Sequence, residues 1–218
     1  MTPAEGFGHA GNPPPDCPQC PRLANFRGIN RRAFPDYFNN PVPSFGALDA
    51  PLLIVGLAPG LKGANRTGRP FTGDYAGDLL YATLKRQGLA RGEYRQRIDD
   101  GFELVGVRVT NAVRCVPPEN KPLPAEINTC RKFLSAEIAA MPNLKAILAL
   151  GQIAHNSVLN ALGVRKKDHA FAHGARHEHG PVTLLASYHC SRYNTNTGVL
   201  TEKMFNEVVT AAKKAAGL

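Results

Sequence analysis

Four apolar runs punctuate the chain: "LLIVGL" (52–57), "FELVGVRVTNAV" (102–113), "KAILALG" (145–151) and "VTLLASY" (182–188). Near-continuous apolar runs of this length suit strands buried on both faces, as in a parallel sheet. The segments between them change period. "AGDLLYATLKRQGL" (76–89) places Leu79, Leu80, Leu84 and Leu89 near helical spacing. "PAEINTCRKFLSAEIAAM" (124–141) opens with proline and puts Ile127, Cys130, Leu134 and Ile138 on one face. "GQIAHNSVLNALG" (151–163) follows the third run directly, and "LTEKMFNEVVTAAKKAA" (200–216) reads as a terminal amphipathic helix. Strand and helix in alternation predict an α/β fold, a three-layer α/β/α sandwich around a central four-stranded parallel sheet. Residues 1–50 are rich in proline and follow neither period, so they read as an irregular arm on one domain spanning 1–218. In such sheets ligands bind beyond the carboxyl ends of the strands. Three of those ends carry unusual residues, "GLAPG" (56–60), "TNAVRC" (110–115) and "SYHCS" (187–191), and these are expected to meet in space.

The remaining bulk properties narrow the class. The chain has 218 residues, 43% of them hydrophobic, enough for a sizeable core. A formal net charge of +9 suits a polyanionic partner but leaves a merely basic enzyme equally open. No apolar stretch approaches the roughly 20 residues of a membrane span. The first 20 residues lack the basic and apolar regions of a signal peptide, so a cytoplasmic protein with no membrane partner is expected. Disulfides are then a poor reading of its thiols.

There are five cysteines. Cys17 and Cys20 form a C-x-x-C, a spacing that lets two thiolates reach one metal from a single turn. Cys115 and Cys130 are separated by 14 residues that include four prolines, a stiff loop able to bring both sulfurs back together. The four are candidates for one metal centre, with zinc and an iron–sulfur cluster both open. The alternative is that Cys130 is an ordinary buried helix residue and the C-x-x-C is incidental. Cys190, beside His189, reads as a packed free thiol rather than a nucleophile. The segment 165–180 holds four of the seven histidines, which makes a second metal site conceivable.

Taken in order, "GLAPG", "NRTGRPFTGDYAGDLL" (65–80), "VTNAVRCVPPENKPLP" (109–124) and "SYHCS", with the four cysteines, resemble the uracil-DNA glycosylase superfamily, and within it family 5, often called type B. The resemblance covers roughly residues 15–215. It implies an α/β/α fold, a [4Fe-4S] cluster on Cys17, Cys20, Cys115 and Cys130, and monofunctional hydrolysis of the N-glycosidic bond of a deaminated base in DNA. Uracil is the first substrate, with hypoxanthine and related bases allowed. It further implies that Phe71 stacks on the flipped base, that Asn111 reads its polar edge, that His189 donates to its carbonyl oxygen, and that the backbone of Gly56 and Leu57 walls the attacking water. It makes 165–180 a loop or hairpin with its turn at His173–Gly174. One departure matters: "GLAPG" has no side chain able to handle water. Asp74 is the candidate for that role, ahead of Asp78, whose place at a helix start suits the helix dipole.

Other residues are placed by position. The loop 189–198 is expected to enter the minor groove, with Arg192 on phosphate and Tyr193 as a wedge. Asn120 is a candidate for base or water contact and Lys121 for the same DNA face. Lys62, Arg66 and Arg69 are candidates for phosphate contact. The protein is expected to act as a monomer on damaged DNA. Two rival readings survive: a non-catalytic iron–sulfur DNA-binding module, and a zinc-stabilised hydrolase of free nucleosides or nucleotides.

Overall fold

Leu52–Gly56 and Ala146–Leu150 contain no polar side chain, and both run through the middle of the central sheet. The computed structural model describes residues 11–218; the first ten residues of the expected arm lie outside them. In chain order the elements are α1 (Pro21–Ala33), β1 (Leu52–Gly56), α2 (Ala64–Thr67), α3 (Tyr75–Arg86), β2 (Ala90–Arg91), β3 (Glu103–Leu104), β4 (Val107–Asn111), α4 (Pro124–Ala140), β5 (Ala146–Leu150), α5 (Gln152–Ala161), β6 (Arg176–His179), β7 (Val182–Ser187), α6 (Arg192–Asn196) and α7 (Glu202–Ala216). The central sheet has the order β4-β1-β5-β7-β6. Its first four strands are parallel, and β6 adds an antiparallel edge. The architecture is therefore the expected sandwich with one strand more than the apolar runs announce. "RHEH" is polar and largely exposed, so no hydrophobic signal marks β6.

Side-chain alternation divides two cores. Leu52, Ile54, Leu148 and Leu185 face α3 and α7, where Leu80, Leu84, Phe205 and Val209 receive them. Leu53, Val55, Ile147 and Leu184 face α4 and α5, against Leu134, Val158 and Leu159. Among the described residues no helix is long and apolar enough to cross a membrane.

Three expectations are corrected. The run 102–113 is not one strand: Gly106 at φ +67° breaks it into β3, which pairs with β2, and β4, which joins the main sheet. The turn between β6 and β7 falls at Gly180–Pro181 and not at His173–Gly174, which precedes β6. The arm is not irregular throughout, because residues 21–33 form a helix. Its buried stripe is Leu23, Arg27 and Asn30, correctly spaced but two-thirds polar, so it is invisible to a search for apolar periodicity. Further along, the arm runs antiparallel to β4, with Phe45 and Val109 exchanging backbone hydrogen bonds of 2.9 and 2.7 Å. It thereby covers the open edge of the sheet.

The second face of β4 is charged. Arg108 and Arg114 both donate to Glu137 of α4, at 2.6 and 2.5 Å, and Glu137 has no exposed surface. Ser44 ties in through Thr110 (2.8 Å) and Arg114 (2.7 Å). Burial alone would raise the Glu137 carboxyl; the two guanidiniums outweigh it and hold the group below the usual carboxylate range. Removing the carboxylate leaves two buried cations without a counter-charge. Glu137→Ala should therefore lose about 3–5 kcal/mol of stability, read as a lower midpoint in urea denaturation at neutral pH.

Candidate active site at the carboxyl ends of the strands

Gly56 ends β1 in register with Asn111 at the end of β4. A Cβ on Gly56 would lie 2.4 Å from the Phe71 ring and 2.5 Å from Asn111 Oδ1. Only glycine lets these two side chains close on the strand end. Phe71 is 6% exposed and belongs to the core cluster on the α3 face. Its ring stands 6.2 Å from the His189 imidazole, with the two planes 27° apart. Asn111 is also buried.

Beside this trio opens a cleft of about 720 Å³. The loop after β1 contributes Leu57, Gly60, Lys62 and Gly63, and the start of α3 contributes Asp74 and Tyr75. The turn after β4 adds Asn120, and the strap after β7 adds His189, Ser191 and Arg192. Asn120 reaches the cleft because Glu119 and Asn120 both adopt left-handed backbone, φ +54° and +57°. The three strand ends singled out in the sequence thus converge.

Asp74 is the N-cap of α3. Its Oδ1 accepts from the Gly77 N–H at 3.1 Å. Oδ2 points the other way: it would touch a Cβ on Gly63 at 2.5 Å and one on Gly60 at 3.4 Å. One oxygen is committed to the fold, and the other faces the glycine-rich wall of the cleft. Asp78 sits in the first turn of α3, as its rival role required, and accepts from Gln96 Nε2 at 2.7 Å. His189 is held through its backbone, whose carbonyl accepts from Asn194 Nδ2 at 2.8 Å. Burial pushes its imidazole below the ordinary 6.5, partly offset by the negative charge of Asp74. His189 is accordingly neutral at pH 7 and able to donate one N–H.

The cationic candidates separate. Arg192 lines the cleft with its guanidinium 5.4 Å above the Tyr75 ring, and Tyr193, 75% exposed, projects beside it on α6. Lys121 is exposed next to Asn120. Arg66 is exposed but lines a neighbouring pocket with Phe38 and Ile98. Arg69 does not face DNA. It is 3% exposed, pairs with Asp100 at 2.7 Å, and lies within 5.1–5.8 Å of four aromatic rings. A cation satisfied on all sides inside the protein has nothing left for a phosphate.

Away from the cleft, Cys17, Cys20, Cys115 and Cys130 line one cavity with Leu23, Ala24, Val113 and Phe133. Arg27 Nη1 lies 3.7 Å from the Cys115 sulfur, and the Arg114 N–H donates to the Cys130 sulfur at 3.4 Å. Burial raises the Cys20 thiol to about 11, the Cys115 thiol to about 12 and the Cys130 thiol in the same direction, so a metal would have to displace their protons. The four cysteines line this one cavity; among the described residues no three His, Cys, Asp or Glu side chains are grouped to hold a single ion. That includes the histidine-rich segment. Against that segment, His155 of α5 turns Nε2 to the His169 carbonyl (3.0 Å), and His177 turns Nε2 to the Ala170 carbonyl (3.1 Å). Cys190 is fully buried and bonds to the Ala76 carbonyl at 3.5 Å, as a packed thiol.

A parallel sheet with a glycine-walled carboxylate, a neutral imidazole and a buried phenyl ring at its carboxyl edge defines the class. The family model described as "Uracil DNA glycosylase superfamily" matches residues 43–213, and the chain belongs to that superfamily. Within it, the chain is similar to the type-5 uracil-DNA glycosylase of Thermus thermophilus, with 47% identity over 93% of this chain and 94% of that protein. The enzymes of the same name from Mycobacterium tuberculosis (44% identity, 93% and 79%) and Pyrobaculum aerophilum (40%, 93% and 90%) are similar across the same share of the chain.

His189 should titrate with a midpoint below 6.5 when its imidazole is followed by NMR. Asp74→Asn should lower that midpoint further, because the charge that favours the imidazolium is gone. The neutral form, and any step that needs it, is lost only as pH falls through that lowered value.

Proposed function

We propose that this chain is a monofunctional DNA glycosylase that removes uracil, and related deaminated bases, and leaves an abasic site. The observation that carries the reading is the half-committed carboxylate of Asp74 in one cleft with the neutral His189. The cleft opens on a basic protein suited to a polyanion. A base turned out of the stack, at an unstacking cost of a few kcal/mol, enters between the strand ends. Phe71 offers it a π-face, worth about 1–3 kcal/mol. The Asn111 amide meets its polar edge. As the N-glycosidic bond lengthens, positive charge grows on the sugar and negative charge on the base. Asp74 Oδ2 offsets the first and orients the water. His189, neutral, donates to the base oxygen that gains the second. The hydroxyl of the water ends on the sugar carbon and its proton leaves with the base. Arg192 and Lys121 hold phosphate, and exposed Tyr193 fills the gap left in the duplex.

The four cysteines fit an iron–sulfur cluster: four thiols face one largely apolar cavity, with Arg27 and a backbone N–H directed at two of the sulfurs. When bound, such a cluster would supply a cross-link between the arm and the β4–α4 loop. No step of the excision requires it. The protein acts as a cytoplasmic monomer.

Excision is tested on an oligonucleotide with one uracil, followed by alkali. Wild type should give nicks. Asp74→Asn keeps a good helix cap but removes the charge, and should lower the single-turnover rate by about 100-fold without loss of thermal stability. Wild-type protein that binds the oligonucleotide but never nicks it would leave the binding-module reading instead. Purified aerobically, the protein should be brown, with broad absorbance near ~400 nm. Cys115→Ser should bleach it.

A further inference from the structure

Phe71 has φ +52°. A bulky residue in left-handed backbone is a real outlier, and such strain persists only where the surroundings impose it. Here the surroundings are visible. The Tyr94 hydroxyl donates to the Phe71 carbonyl at 3.1 Å and accepts from the Gly73 N–H at 3.4 Å, so one oxygen spans both sides of the turn. The Tyr81 hydroxyl donates to the Pro70 carbonyl one residue earlier. Gly77 of α3 closes from above: a Cβ there would lie 1.6 Å from the Phe71 carbonyl oxygen and 2.9 Å from the Tyr94 hydroxyl. Asp74, the carboxylate of the cleft, lies between these anchors in sequence and caps the same helix turn through Gly77.

Tyr94 comes from the loop joining β2 to β3, which "RGEYRQRIDDGFE" (91–103) makes look like solvated charge. The loop is fixed at two further points, one beside the turn and one on α3. Asp100 receives Arg69 at 2.7 and 2.8 Å and the backbone N–H groups of Arg95 and Phe102 at 3.0 Å each. Gln96 donates to Asp78 at 2.7 Å. Arg69, which has no role on DNA, is the anchor of this loop.

We propose that Tyr94 is a positioning residue for base excision: its hydroxyl, carried by the β2–β3 loop and seconded by Tyr81 and Gly77, locks the strained Phe71 turn and so aligns the base-stacking ring with Asp74. The inference rests on the reading that Phe71 receives the flipped base. Burial raises the Tyr94 hydroxyl to about 12, which keeps it a protonated donor throughout the working range.

Tyr94→Phe deletes the hydroxyl and keeps the ring among Tyr81 and Phe102, at 4.8 and 5.5 Å. It is compared with wild type and Tyr81→Phe by excision of one uracil and by carbon-13 NMR. For the NMR, protein is labelled throughout with ring-13C phenylalanine, which leaves the new ring chemically unaltered, and the Phe71 signal is assigned with Phe71→Leu. Tyr94→Phe should lower kcat about tenfold, the weight of one neutral hydrogen bond, with KM for DNA unchanged. The Phe71 ring resonances should shift or broaden. The Tm should fall by no more than about 4 °C, so unfolding does not account for the lost rate at 25 °C. A rate or a Phe71 resonance unchanged in Tyr94→Phe overturns the proposal, whatever Tyr81→Phe does, as does a loss confined to KM. Wild-type protein without excision, but with a Phe71 resonance that moves in Tyr94→Phe, would overturn the glycosylase reading and leave the lock standing.

Discussion

Glu137 keeps a full charge where water does not reach it, and much of the molecule is organised around that fact. Its two partners come from the same strand and the turn beyond it: Arg108 within β4 and Arg114 just past its end. Between them lie Thr110, which reaches Ser44 of the arm, and Asn111, which faces the Phe71 ring through Gly56. Immediately after come Cys115 and, sixteen residues on from Arg114, the Cys130 sulfur that its N–H contacts. A buried ion pair adds little net stability over a well-packed apolar pair, but removing either partner strands the other charge. Here the two pairs tie α4 to β4 and to the chain just before the proline-rich loop.

The cleft is built on the same logic of groups with two obligations. Asp74 caps a helix with one oxygen and faces the glycine wall with the other. The His189 strap is tied by Asn194 to α6 and by Cys190 to the start of α3. Its own side chain is left to the cleft. Glycine does the remaining work by absence: at Gly56, Gly63 and Gly77 any side chain would collide with the residues that line or support the site. The chemistry needs few polar groups because these contacts leave so little room for them to move.

Much of this was legible in the sequence. The apolar runs of β1, β5 and β7 are buried on both faces and announce themselves. The helices α3, α4, α5 and α7 follow apolar periods to within a few residues. The convergence of Leu57, Asn120 and His189 follows from the topology of a parallel sheet. What was hidden shares a cause, since polar residues were doing structural tasks. The α1 stripe contains Arg27 and Asn30; β6 is "RHEH"; Arg69 is buried by an acidic residue 31 positions away. Tyr94 sits in a charged loop that resembles solvent-exposed chain, and only the positive φ of Phe71 reveals what it holds.

The cysteine cavity has a consequence for a chain still being synthesised. Cys17 and Cys20 leave the ribosome first, together with α1, whose one buried apolar side chain, Leu23, packs on Val113 and Cys130. Until the chain has grown past Cys130, Leu23 has neither Val113 nor Cys130 to pack on, and the two thiols of the arm lack their companions. The enclosed site is therefore assembled only after everything from Cys17 to Cys130 has been made.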